Sequence, residues 1–242
     1  EGDRITDYFR NRLQELFGGS GPGILLPKEP AASSRRSAYV SQSRNYKKKA
    51  VYIKGKQAKG GNYGIGAATF EITGKGSKFL GMDTSVVSED SLGTQRVIID
   101  PIFTNKNTEN FIRIKRGSLG YPLTKQYSKM RLIHQVNKPF KIQVSGSAID
   151  TNWFINKTNG LAQVNSFDFQ PDKDFRISYT NGPLPLFYGI ALDGTVGVAV
   201  DNFAMRGSSG IGFSSMYKPI FKKQLKDLNV KCIILQYGIN VV

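Results

Sequence analysis

The chain has one cysteine, one histidine and one tryptophan in 242 residues. The lone Cys232 excludes an internal disulfide framework and a cysteine-cluster metal site. The lone His134 is more restrictive. Hydrolytic triads and most zinc sites require a histidine, and here one residue would have to serve every purpose. No run of 18 apolar residues occurs, so no segment reads as a membrane-spanning helix. Residues 1–20 carry Asp3, Arg4, Asp7, Arg10, Arg12 and Glu15, which is unlike a secretory signal peptide. Acidic residues are scarce, 18 against 34 Lys and Arg, for a net charge of +16.

What is present suffices for a folded body. Hydrophobic residues make up 39% and aromatics 11%, which excludes a disordered chain. The length suits one large domain or two modest ones. The 26 Gly and 10 Pro give a loop-rich, β-leaning balance. The absence of a starting Met and the apolar ending Ile239-Asn240-Val241-Val242 lead to the expectation that the chain is a fragment of a longer protein.

Residues 3–17 have the spacing of an amphipathic helix. Ile5, Tyr8, Phe9, Leu13, Leu16 and Phe17 fall on one face, with Asp3 placed to cap the start and Gly18-Gly19 to end it. Between about 30 and 182, short β-rich runs recur between turn residues. Phe111-Ile112-Arg113-Ile114-Lys115 and Phe140-Lys141-Ile142-Gln143-Val144 alternate apolar with polar, the period of a half-buried antiparallel strand. About eight such runs suggest a β-sandwich resembling a jelly roll. After residue 183, residues 188–192 and 196–199 read as strands and 214–228 as a helix. Residues 231–236, with Cys232-Ile233-Ile234-Leu235, read as a strand apolar on both faces, as in a buried parallel sheet. The expected fold is therefore α/β at the two ends, residues 1–29 and 183–242, around an all-β insertion at 30–182.

Three segments in the expected α/β ends carry candidate chemistry. The first is Glu1-Gly2-Asp3-Arg4-Ile5-Thr6 with its helix and the following Gly18-Gly19-Ser20-Gly21-Pro22-Gly23. The second is Arg206-Gly207-Ser208-Ser209-Gly210, and the third is Gly238-Ile239-Asn240 after the apolar run. A Gly-rich loop lets backbone N–H groups converge on a negative oxygen, and an Asn beyond a strand can add a side-chain amide. Each segment alone is also an ordinary turn, since Gly and Asn tolerate positive φ.

In this order the three segments resemble the SGNH/GDSL hydrolase family, in its bacterial branch with an inserted β domain. The resemblance covers about the first 27 and last 60 residues, and reaches the middle by domain type only. It implies that Gly207 supplies a backbone oxyanion donor and Asn240 a side-chain one, with Arg206 and Ser208 near the substrate. It also implies a periplasmic or secreted ester hydrolase without metal or cofactor, removing an O-acetyl group from a carbohydrate or cell-wall glycan. The family's nucleophilic Ser has no match, because Gly2-Asp3-Arg4 holds Arg where the family holds Ser. Its Asp-x-x-His block has none either. The chain alone is therefore expected to be inactive. His134, within a β-rich run, reads as a hydrogen-bonded strand residue, and Cys232 as a buried, inert thiol. Ser208 and Ser209 would be nucleophiles only if a base reached them.

The positive charge is concentrated. Residues 30–70 hold nine bases, among them Arg35, Arg36, Lys47, Lys48 and Lys49, and no acid. Lys along a strand edge guards against sheet-to-sheet pairing. The same stretch, interleaved with Tyr39, Tyr46, Tyr52 and Tyr63, also suits an anionic envelope polymer or, less well, nucleic acid. Two alternatives thus stand beside the esterase: a non-enzymatic glycan-binding β-sandwich, with Trp153 and tyrosines stacking on sugars, and a basic polyanion binder.

Overall fold

The computed structural model describes residues 3–28, 37–73, 79–89, 95–103, 110–118, 120–155, 160–168, 173–181, 184–205 and 208–237. The alternating runs form strands as their period dictates. In β7 (Asn110–Arg116), Ile112 and Ile114 are buried while Arg113 and Lys115 are exposed. In β9 (Phe140–Gly146), Phe140, Ile142 and Val144 are buried, and in β12 (Asp174–Asn181), Phe175, Ile177 and Tyr179. With β10 (Asp150–Ile155) and β2 (Ala38–Gln42) they make a five-stranded antiparallel sheet ordered β10-β9-β12-β7-β2.

A second, six-stranded sheet is ordered β11-β8-β13-β4-β3, with β1 also paired to β13. Its members are β1 (Gly23–Leu25), β3 (Tyr46–Ala50), β4 (Ala68–Ile72), β8 (Lys129–Gln135), β11 (Gln163–Asp168) and β13 (Leu186–Asp193). Every pairing is antiparallel. One contiguous core holds residues of both sheets, including Met130, Leu132 and Phe187 with Phe140, Ile142 and Phe175. The two sheets therefore form a sandwich. Rings meet between them: His134 lies edge-on to Phe140, and Trp153 of β10 stacks on Phe167 of β11 at 4.1 Å. A further hairpin joins β5 (Phe79–Glu89) to β6 (Gln95–Phe103).

This architecture overturns the expected α/β fold. Residues 186–193 form no parallel strand. β13 runs antiparallel to β1, β4 and β8 within the larger sheet. Residues 196–199 and 231–236 form no strand, and Ile233, Ile234 and Leu235 are 53%, 83% and 68% exposed. Only two α-helices occur among the described residues, α1 (Asp3–Phe17) and α2 (Lys218–Asp227). The physical reason lies in what a doubly apolar run encodes. It specifies cover on both faces and says nothing of strand direction. For β13 the sandwich core covers one face, and packed loops cover the other, as where Gly64 lies against Tyr188. The helix expected over 214–228 divides. A 3-10 turn spans Ile211–Ser215, and α2 begins after it, with Pro219 in its first turn.

Candidate functional site

Helix α1 docks in an unexpected orientation. Its buried side chains are Asp7, Arg10, Asn11 and Gln14, while Ile5, Phe9 and Leu16 face outward. Each polar side chain has a partner. Arg10 Nε donates to the Val200 carbonyl at 2.6 Å and Nη1 lies 3.4 Å from Asp7 Oδ1. Asp7 Oδ2 accepts from the Tyr121 N–H, Asn11 Oδ1 from the Leu123 N–H, and Gln14 Nε2 donates to the Gly21 carbonyl. Thus a polar stripe at helical spacing holds the helix by directed hydrogen bonds.

The loop after α1 is fitted against residues far along the chain. The Val198 N–H donates to the Gly18 carbonyl at 3.0 Å, and the Gly194 N–H to that of Ser20 at 3.1 Å. The Ile24 N–H donates to Asp201 Oδ1 at 2.6 Å, and Asn202 Nδ2 to Thr6 Oγ1 at 2.9 Å. Gly21 has φ +96°, and a Cβ there would lie 2.2 Å from the Leu192 carbonyl oxygen. Only glycine permits so close a backbone crossing. The first segment singled out in the sequence is therefore held against residues 192–202, just before the second.

The third segment also approaches the second. Tyr237 Oη donates to Met205 Sδ at 3.5 Å, its ring meets Phe213 edge-on at 5.7 Å, and Gly210 packs against the same ring. Gly207 and Arg206, and Asn240 with the rest of 238–242, lie outside the described residues. Their described flanks, Met205 and Gly210 on one side and Tyr237 on the other, are thus in contact. Ser208 is half-buried, and its Oγ accepts from the Gly210 N–H at 3.3 Å. Cys232, expected to be buried, is exposed, because the run around it has no strand neighbour among the described residues.

A half-buried ion pair lies near this region. Arg131 donates through Nε and Nη2 to Asp193 Oδ2. Burial raises the Asp193 pKa, and the neighbouring Arg131 charge acts in the opposite direction. Neither this pair nor the Asp7–Arg10 pair was singled out in the sequence. The stripe Asp7, Arg10, Asn11, Gln14, opposite the apolar one, is the signal that could have found the second.

His134 sits in β8, fully buried, with Nε2 2.7 Å from Asn165 Oδ1 on β11. Burial lowers its pKa to about 4, so the ring is neutral at pH 7. With Nδ1 sealed in the core and lacking a hydrogen-bond partner, it cannot serve as a base for a surface substrate. No group of three His, Cys, Asp or Glu side chains among the described residues could hold a metal ion.

The basic stretch is divided by the fold. Lys47, Lys48 and Lys49 lie on β3, at the edge of the six-stranded sheet. Lys49 pairs with Glu71 at 2.8 Å and Lys48 donates to Tyr52 Oη. Tyr46 and Tyr63 are buried and present no stacking surface. Arg35 and Arg36 lie outside the described residues. Among the described residues, no helix is long and apolar enough to cross a membrane. No protein-family model matches the chain, and no curated protein matches it.

Proposed function

We propose that this chain belongs to an ester hydrolase of SGNH type that removes O-acetyl groups from a carbohydrate or cell-wall glycan outside the cytoplasm. One observation carries the reading: the flanks of the two segments resembling oxyanion blocks meet, through Tyr237 against Met205 and Gly210. In the proposed reaction, the Gly207 N–H and the Asn240 side-chain amide donate to the oxygen that becomes negative as a serine attacks the acyl carbon. Arg206 and Ser208 border the substrate. The attacking serine and its Asp/His base come from outside these 242 residues. Donors fixed in advance stabilise the developing charge without reorganisation.

The test uses a polypeptide in which this chain is joined to a Gly-Asp-Ser block and an Asp-x-x-His block. Asn240→Ala is expected to lower kcat for an acetyl ester by about 10²–10³. Unchanged turnover overturns the assignment. The 242-residue chain alone is expected to hydrolyse no 4-nitrophenyl acetate. Hydrolysis abolished by Ser208→Ala or Ser209→Ala would place the nucleophile elsewhere than proposed.

A second reading, a glycan-binding sandwich without catalysis, is favoured by the five-stranded sheet, whose outward side carries Tyr39, Arg113, Lys115, Gln143 and Asn152. Trp153 is not its best anchor, because one face of the indole is already stacked on Phe167.

A further inference from the structure

The five-stranded sheet has a composition on its outward face that the esterase chemistry does not use. Ile112, Ile114, Phe175 and Ile177 point into the core. Their neighbours Phe111, Arg113, Lys115 and Arg176 therefore stand on the opposite face. The register aligns them in rows. Tyr39 of β2 lies opposite Lys115 of β7, and Arg113 lies directly opposite Arg176 of β12. Tyr39 is 45% exposed, and the Arg113 side chain 56%.

Two arginines facing each other across adjacent strands repel. The sheet moderates this without removing the charge. Arg113 forms a two-pronged pair with Asp174, at 2.8 and 2.6 Å. The Arg176 guanidinium lies 3.8 Å from the centre of the Phe111 ring, a cation–π contact. Around Arg113, the described side chains Arg113, Lys115 and Arg176 outnumber Asp174, which leaves this part of the face net positive. Tyr39, Val40, Ser41, Arg113 and Lys115 line a shallow depression at its edge. The fixed Arg113–Asp174 pair shows in miniature how a carboxylate sits on this face.

We propose that this face binds an acidic polysaccharide, with its sugar carboxylates at Arg113, Lys115 and Arg176 and a sugar ring against Tyr39. The choice between polyanions follows from the face itself. Besides cations it carries Asp150, Asp174, Gln143 and Asn152, acceptors and amides that suit sugar hydroxyls. A regular phosphate backbone has few hydroxyls for these groups to bind, whereas every sugar of a polysaccharide presents several. Lys47 and Lys48, on the edge of the other sheet, are not part of this site. The proposal deepens the glycan part of the esterase reading, and names the acidic polymer as the substrate class.

The experiment is binding of the 242-residue chain to polygalacturonate, to the same polymer with its carboxyl groups reduced, to neutral dextran and to a single-stranded oligonucleotide, by calorimetry in low salt. Binding of polygalacturonate, at least about tenfold tighter than of the reduced polymer, is expected. Lys115→Ala and Tyr39→Ala should each weaken it about tenfold or more, with the fold verified by the fluorescence of the lone Trp153. Lys47→Ala with Lys48→Ala should leave it unchanged. Equal affinity for the reduced polymer, tighter binding of the oligonucleotide, or loss of binding in the Lys47/Lys48 variant overturns the proposal. These outcomes leave the Asn240→Ala result untouched, so failure of the glycan site and failure of the esterase reading are distinguishable.

Discussion

The single histidine makes the pH dependence of stability a sharp test of the fold. His134 has an ordinary pKa of 6.5 and a folded one of about 4, lowered first by burial and partly restored by its hydrogen bond to Asn165. The unfolded chain therefore takes up a proton as pH falls through 6.5, and the folded chain does not until about 4. Stability from this residue is complete above pH 6.5 and is lost between 6.5 and 4. Linkage gives a loss of about 2 kcal/mol at pH 5 and about 3 kcal/mol at pH 4. Asp193 acts with the opposite sign. Its raised folded pKa means that the folded state binds a proton sooner as pH falls, so its contribution must be subtracted. The assay is urea denaturation of the chain and of His134→Gln at pH 7, 6, 5 and 4. The amide of Gln can still donate to Asn165 Oδ1, and no titration remains at the position. The variant is expected to be less stable at pH 7 through imperfect packing, but to converge on the parent by about 2 kcal/mol at pH 5. Parallel curves, with a constant difference from pH 7 to 4, would refute a buried neutral His134.

Two further predictions concern the contact between the ends of the chain. Gly197 has φ +92°, and a Cβ there would lie 2.1 Å from the Gly18 carbonyl carbon. Gly197→Ala is therefore expected to cost about 2–4 kcal/mol, read as a fall in Tm of roughly 5–15 °C. Gly55→Ala, also at positive φ but with nothing within 4 Å of the new carbon, should cost only about 1 kcal/mol. Equal effects would mean that the close approach of Gly197 to Gly18 is not real. Arg10→Met leaves the Asp7 carboxylate buried without its cation, a local penalty of about 3–5 kcal/mol. Helix α1 should then lose hydrogen-exchange protection while β8 and β13 keep theirs. Unchanged protection of α1 would show that the polar stripe does not hold it.

The sandwich strands were legible because period-two alternation states a physical requirement directly: one face in the core, one in water. Ile112 and Ile114 against Arg113 and Lys115 satisfy it residue by residue. Strand β3, which lacks that contrast, was not found. Tyr46-Lys47-Lys48-Lys49-Ala50 reads as a charge run, yet as an edge strand it pairs on one side only and keeps its lysines in solvent. Direction was illegible for β13, since burial on both faces is equally available in either sheet type. Of the candidate site, the turn glycines Gly18, Gly19, Gly21, Gly23 and Gly210 were legible, and each has positive φ. The meeting of the segments was not, because no local pattern records that Tyr237 reaches Met205 or that Arg10 reaches Val200.

Helix α1 shows most plainly where such reading stops. Its period was correct and its polarity inverted. An apolar stripe predicts the buried face only when burial of that stripe is the largest gain on offer. Here the opposite stripe carries four hydrogen-bonding side chains, and the surface beneath it offers backbone groups of Gly21, Tyr121, Leu123 and Val200, which need partners wherever they are shielded from water. Burying Ile5 and Phe9 against that surface would leave those groups unpaired, at about 1–3 kcal/mol each. Burying Asp7, Arg10, Asn11 and Gln14 satisfies them. The orientation is set by the polar groups of the receiving loops, three of the four more than 100 residues away along the chain and Gly21 close by, and not by the helix's own amphipathic pattern.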